Sequence, residues 1–248
     1  MKNNFSVHPI KKLNFHPPYI REIQKQDTIV KSGLKELDKF IGGFKSGEIN
    51  FIDGDNKLAS NISNQICVNT YRTYRKNVIY IDGGMSFDPY KIAKYARKME
   101  IDQRAILGHI YISRAFTLFQ LTTLLKDKLE QKIIECSPKT LIIEKFLTLY
   151  LDSNISSNEA NILMKNNLRK IKELTKKYEL VTIISNHDMG IKLRKNVNII
   201  LYENTDQIVT IKQIGKVINF NFVKKNKRIA ISILERGQLH LNDFEMTI

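Results

Sequence analysis

Apolar and polar residues alternate along this chain in two rhythms, and the rhythms take turns. Short runs dense in Ile, Val and Leu occur at residues 49–53, 78–82, 110–113, 140–144, 181–185 and 197–202. Their near-continuous hydrophobicity is what strands covered on both faces require. Between these runs the period lengthens. Asp88-Pro89 places an N-cap before a proline at the first helical position, and Ile92, Tyr95, Ala96 and Met99 then share one face. Leu121, Leu124, Leu125 and Leu129 mark a second helix. Ala160, Leu163, Met164, Leu168, Ile171 and Leu174 mark a third, with Lys and Arg on its opposite side. All three stripes read as core-facing. Strand and helix in alternation predict an α/β fold built on a mainly parallel, doubly wound sheet.

Both ends break the alternation. Residues 1–30 read as an irregular arm, because His16-Pro17-Pro18 forces an extended stretch. The core is expected over residues 31–248, opening near Ser32-Gly33. Near the other end, residues 207–214 and 217–223 alternate polar and apolar around Gly215-Lys216, the pattern of a hairpin. Residues 228–234 repeat it. The parallel sheet is therefore expected to be extended by antiparallel strands, with no internal repeat and no second domain.

Composition narrows this picture. A length of 248 residues suits one large α/β domain, and 42% hydrophobic content is enough for a packed core. The net charge of +15 points to a polyanionic partner, since each Lys or Arg set on a phosphate releases counterions. Cys67 and Cys136 lie far apart, without CxxC or histidine in ligand spacing. They read as buried thiols of a reducing compartment and not as a disulfide or zinc site. The first ten residues carry no apolar core of a signal peptide, and no run approaches the ~18 apolar residues of a membrane span. A cytoplasmic, nucleoid-associated location with no membrane partner is expected. His8, His16, His109, His187 and His240 are scattered and read as structural. No Ser/His/Asp arrangement or carboxylate pair is legible.

The residues after the first run come close to a phosphate-holding pattern. In α/β sheets, ligands bind beyond the carboxyl ends of the strands. GxxxxGK[ST] at a strand–loop–helix junction wraps backbone N–H groups around phosphates, while its lysine neutralises them and its hydroxyl holds Mg²⁺. Gly54-Asp55-Asn56-Lys57-Leu58-Ala59-Ser60-Asn61 keeps the first glycine. Ala59, Ser60 and Asn61 stand at the positions of the second glycine, the lysine and the hydroxyl residue.

Its surroundings carry a resemblance. Residues 32–49, Ser-Gly-Leu-Lys-Glu-Leu-Asp-Lys-Phe-Ile-Gly-Gly-Phe-Lys-Ser-Gly-Glu-Ile, closely resemble the opening of the RecA/RadA recombinase core, roughly TG-x-x-x-LD-x-x-LGGG-x-x-x-GE-[IV]. Residues 78–92 resemble that family's VxYIDTEGxFRPxRI. His109-Ile110-Tyr111-Ile112-Ser113-Arg114-Ala115-Phe116 repeats its wording again. Thr140-Leu141-Ile142-Ile143-Glu144 sits at the strand that in the family ends in a magnesium-linked aspartate. Residues 168–174 followed by 181–187 resemble the last core helix and the strand ending in Thr-Asn-Gln. Order and spacing match over roughly residues 30–248, and the archaeal RadA/RadB branch with its paralogs is nearest in flavour. The family's small N-terminal helical DNA-binding domain has no expected counterpart.

The resemblance implies a RecA-like, P-loop ATPase core, and it also shows what has changed. The clamp lysine maps to Ser60, the water-activating glutamate to Gly84, the metal-linked aspartate to Glu144, the γ-phosphate-sensing glutamine to His187, and an arginine near the adenine to Asp88. Without the lysine the electrostatic hold on the phosphates is gone, and glycine can neither accept a proton nor position a water. Lys57 lies in the loop and could reach a phosphate, though its spacing is wrong. Gly54, Lys57, Ser60, Asn61, Gly84, Glu144 and His187 are thus expected to be degenerate nucleotide-binding positions of a pseudo-ATPase. No catalytic residue, metal or cofactor is expected, and ATP binding is not favoured.

In the family, two loops bind single-stranded DNA. The first maps to residues 150–158, rich in Ser and Asn and lacking Arg. The second maps to the short basic segment 189–196, with Lys192, Arg194 and Lys195 as phosphate contacts. Lys224, Lys225, Lys227 and Arg228 form a further basic cluster in an expected turn. The second loop offers no aromatics for base stacking, so its contact is expected to be mainly to phosphate, and any binding sequence-independent and salt-sensitive. The family polymerises through a Phe-x-x-Ala segment. Phe15-His16-Pro17-Pro18 holds a comparable place with proline for alanine, and a capping or hetero-partner role stands beside self-polymerisation. The expected function is a non-hydrolysing recombinase paralog, an accessory of homologous recombination and DNA repair that binds single-stranded DNA, the active recombinase or a paralog. The alternatives are a pure protein-interaction module and a weak DNA-dependent ATPase using Lys57 and Glu144.

Overall fold

A computed structural model describes residues 28–54, 56–186 and 195–232. The chain opens with a two-stranded antiparallel ribbon, β1 (Ile29–Val30) on β2 (Phe44–Lys45), spanning helix α1 (Lys35–Ile41). The large sheet follows. Its strands are β3 (Ile49–Gly54), β4 (Val78–Asp82), β5 (Ile110–Arg114), β6 (Thr140–Glu144), β7 (Val181–Asn186), β8 (Gln207–Ile214), β9 (Val217–Phe222) and β10 (Lys227–Ser232). Their spatial order is β10-β9-β8-β3-β7-β6-β4-β5. Strands β3 to β8 run parallel, and β9 and β10 are added antiparallel at one edge. The expected sheet, mainly parallel with a C-terminal antiparallel extension, is the one observed. β1, at Ile29–Val30, falls at the end of the stretch read as arm, and residues 1–27 lie outside the described residues.

Helices cover both faces. On one lie α2 (Asn56–Tyr74), α3 (Pro89–Lys98) and α4 (Gln103–Gly108). On the other lie α5 (Leu118–Thr123), α6 (Leu129–Cys136), α7 (Ser157–Lys177) and α8 (Lys195–Asn204). Leu124–Lys128 is a π-helical turn joining α5 to α6, and Phe146–Leu151 is a 3₁₀ turn after β6. The helices start where the sequence says. The Asp88 carboxylate accepts from the N–H groups of Tyr90 and Lys91, with Pro89 at the first position. The Ser156 hydroxyl accepts from Glu159 N–H to open α7. Strands β3, β4, β6 and β7 are buried at every position, as their unbroken apolar runs require. Cys67 and Cys136 are free and buried. Among the described residues, no helix is long and apolar enough to cross a membrane.

One element overturns its sequence reading. Residues 197–202, expected as a strand, lie in α8. Val197, Ile200 and Leu201 are buried while Ile199 and Tyr202 are exposed, which is spacing by three and four and not by two. Topology demands it as well. β7 and β8 run parallel on either side of β3, so the chain between them must cross over, and a helix does this.

Candidate functional site

The carboxyl ends of β3, β4, β6 and β7 bring the expected phosphate-binding positions to one end of the sheet. The first is Gly54, the last residue of β3. Its φ is +149°, and a Cβ there would lie 2.0 Å from the Ile211 carbonyl oxygen on β8. Gly54 pairs with Ile211 in register, so the glycine is kept by close strand approach. α2 then begins at Asn56, two positions on. Leu58, Ala59 and Ser60, read in the sequence as lining a loop, are helical and buried. Asn61 is half-buried in the same helix, and Lys57 is exposed.

The loop after β4 is built around two buried acids. The Asp82 carboxylate accepts from the N–H groups of Gly84 at 3.1 Å, Ser86 at 3.0 Å and Phe87 at 3.0 Å. Burial alone would push this carboxyl up, but those donors, with the Ser86 hydroxyl, outweigh it and hold it below its ordinary value. Arg114 Nε is 3.9 Å from the same group. Glu144, fully buried at the end of β6, takes the Ser86 hydroxyl at 2.6 Å, closer than the 3.0 Å from Ser86 Oγ to Asp82. The Ser86 hydroxyl thus stands within donating reach of both acids, and Asp82 has its three backbone donors besides. Burial and the Glu144 charge push the Tyr80 hydroxyl well above its usual range.

Gly84 sits where the resemblance places a glutamate. A Cβ at Gly84 would be 2.1 Å from Lys145 Cδ, because the Lys145 stem lies across it. Lys145 itself has φ +53°. Met85, exposed and at φ +52°, stands where the quoted pattern carries glycine. Asp88, at the arginine position, is the cap of α3 and pairs with Lys91 at 3.5 Å. His187 lies outside the described residues. The residue before it, Asn186, is buried and donates to Asp53 Oδ1 at 3.3 Å. Among the described residues, no group of three or more His, Cys, Asp or Glu could hold a metal ion.

The DNA-contact candidates separate. Lys192, Arg194 and the side chain of Lys195 lie outside the described residues, although Lys195 opens α8. Lys224 is committed: its ammonium donates to the Thr205 carbonyl just past α8 and lies 4.6 Å from the Tyr202 ring centre. It caps a helix C-terminus, where cations are favoured. Lys225, Lys227 and Arg228 are exposed. Of the first-loop candidates, Tyr150 is buried with its hydroxyl accepting from Asn167 at 2.8 Å, and α7 begins at Ser157, which leaves residues 152–156 as the connection.

The sequence reading missed a groove. β5 is the last strand of the sheet and pairs, among the described residues, with β4 alone. Beside it lies a cavity of about 680 Å³ lined by Tyr111, Ile112, Leu124, Leu129 and Lys132, among others. The π-helical turn forms part of its wall, and such turns recur at functional sites. Lys132 lies 4.6 Å from the Tyr111 ring centre. Ile112, Phe116 and Phe119 are exposed. The run at residues 110–113 signalled a strand, but which strand ends the sheet is a property of topology.

Comparison with known proteins adds a family. The profile described as Rad51 matches residues 24–200 of the chain. A probable DNA repair protein RAD51 homolog 4 from Dictyostelium discoideum is 34% identical over 91 residues, covering 36% of this chain and 25% of that protein. The match thus spans about a quarter of the length of that relative.

Proposed function

The chain belongs to the Rad51 family, and from that premise we propose that it is a non-hydrolysing recombinase paralog, an accessory in recombination and DNA repair that works by binding. The observation that carries this reading is the junction after β3. The helix begins two residues past Gly54, so the chain forms no phosphate-wrapping loop from residues 56–60. The donor set does not fit a nucleoside triphosphate with its magnesium. Ser60 is buried and uncharged, Lys145 lies over Gly84, and Glu144 is taken up by Ser86.

Binding falls to two surfaces. Single-stranded DNA is the polyanion that the net charge of +15 and the basic second loop favour. The groove beside β5 suits an extended segment of a recombinase or paralog, because an open strand edge offers unpaired N–H and C=O groups and the cavity offers a seat for side chains. Ile112→Asp at this edge is expected to weaken binding of a Rad51-family recombinase at least tenfold by calorimetry. Ile112 is exposed, so the melting temperature is expected to stay within about 2 °C of the native chain. Unchanged affinity in the variant would remove the groove from this reading.

A further inference from the structure

The apolar stripe of α7, Ala160, Met164, Leu168, Ile171 and Leu174, is spent in the core. Its other side sorts cations into two sets. Lys170 and Lys177 are tied to Glu130 of α6 at 3.0 and 2.8 Å, and Lys170 also meets Glu173 at 2.9 Å. Lys165, Arg169, Lys172 and Lys176 make no ion pair or hydrogen bond among the described residues. They recur at steps of four, three and four, which on a helix is a single row. At 1.5 Å per residue the row is about 16 Å long. Lys172 is half-buried and the other three are exposed. Like charges at these spacings repel, and only Lys176, in the last turn, sits where the helix end favours a cation.

The row continues beyond the helix. Lys224, in the turn between β9 and β10, lies near enough to Lys172 to feel its charge. Burial is the larger cause and Lys172 the smaller in holding the Lys224 ammonium below its usual range, and Asp206 acts the opposite way. Asp206 is itself engaged, accepting Ile49 N–H at 2.8 Å. Lys225 and Lys227 follow, both exposed. Lys224 thus stands close to the row, with Lys225 and Lys227 next to it in the chain.

Its chemistry selects the partner. An amphipathic helix inserts into a lipid surface through an apolar face, and the apolar face of α7 is buried. A protein interface centres on aromatic or aliphatic anchors, which this row of Lys and Arg lacks. Neither this row nor the second loop carries aromatic rings to stack bases; what sets the row apart is its straight, evenly spaced line of cations, which matches the regular phosphate line of a duplex better than a flexible single strand. A regular line of phosphates needs cations alone. We propose that Lys165, Arg169, Lys172 and Lys176, with Lys225 and Lys227, hold the phosphate backbone of duplex DNA without regard to sequence. The proposal rests on the reading of the chain as a DNA-binding recombination factor. It adds a duplex site on an outer helix, apart from the loops that follow β6 and β7.

The test is fluorescence anisotropy of the full chain on a labelled duplex of about 30 base pairs and on the matching single strand, titrated from about 50 to 200 mM salt. The variant K165Q/R169Q/K172Q/K176Q is set against K39Q/K94Q/K98Q/K126Q, which removes as much exposed charge elsewhere. Each phosphate contact contributes about 0.9 to the slope of log affinity on log salt. The row variant is therefore expected to lose about three to four from the duplex slope, and the control less than one. A native slope in the row variant would overturn the duplex site while leaving DNA binding intact. So would binding of the single strand, or of anionic lipid vesicles, without the duplex. Failure of the native chain to bind either nucleic acid would instead remove the DNA reading on which the proposal stands. Circular dichroism matching the native chain is expected in both variants, since seven of the eight positions are exposed and the other, Lys172, is half-buried.

Discussion

Gly54→Ala is expected to lower the stability of the chain by about 2–6 kcal/mol, read as a fall in the urea midpoint at constant slope. Two costs add. An L-residue at φ +149° is strained, on the order of 1–3 kcal/mol. The new Cβ also meets the Ile211 carbonyl, with oxygen at 2.0 Å and carbon at 2.8 Å, and overpacking of this kind costs about 1–3 kcal/mol more. Ile211 is backbone in a strand paired on both sides, to β3 and to β9, so it cannot step aside without disturbing the ladder. Gly47→Ala is the contrast. Its φ is +75° but nothing lies within 4 Å of the added Cβ, and a loss of only about 1 kcal/mol is expected. A large loss at Gly54 beside a small one at Gly47 would tie the surviving glycine of the motif to strand packing. Equal small losses would return it to the phosphate-binding explanation.

Asp82→Ala is expected to cost about 3 kcal/mol, because the N–H groups of Gly84, Ser86 and Phe87 lose one shared acceptor and stay in a half-buried loop. The pH dependence follows from the direction of the shift. The folded carboxyl titrates below its ordinary value, so its contribution is complete above the unfolded range near pH 4 and is lost as pH falls through that range toward the folded value. In the variant this acid-limb loss should shrink. Glu130, held near 2 chiefly by Lys177, then Lys170 and Tyr178, titrates in the same sense, but it lies at the surface, where ion pairs contribute little. Stability measured by denaturant from pH 7 to pH 3 checks this. An acid limb as steep as that of the native chain would assign it to other groups.

The sheet was legible because its strands are buried on both faces and leave unbroken apolar runs. The hairpin at Gly215 was legible because its strands alternate. Residues 197–202 were not, since a short run of Val, Ile and Leu looks the same in either state until burial separates Val197, Ile200 and Leu201 from Ile199 and Tyr202. The phosphate-loop reading took residues up to Asn61 as loop, whereas the structure has residues from Asn56 on in α2. Once the second glycine and the lysine are gone, Lys57-Leu58-Ala59 are good helix formers, and α2 extends back to Asn56. The basic turn was visible, yet only the structure shows that Lys224 is occupied with Thr205 and Tyr202. The groove beside β5 had no local signal, because an edge exists only when the whole strand order is known.

The reading of this chain as a binder without phosphate chemistry meets its most direct test in steady-state phosphate release from Mg-ATP by the purified protein, with and without single-stranded DNA. Turnover indistinguishable from the protein-free blank, and unchanged by Lys57→Ala, is the predicted result. Sustained turnover that Lys57→Ala abolishes would contradict it.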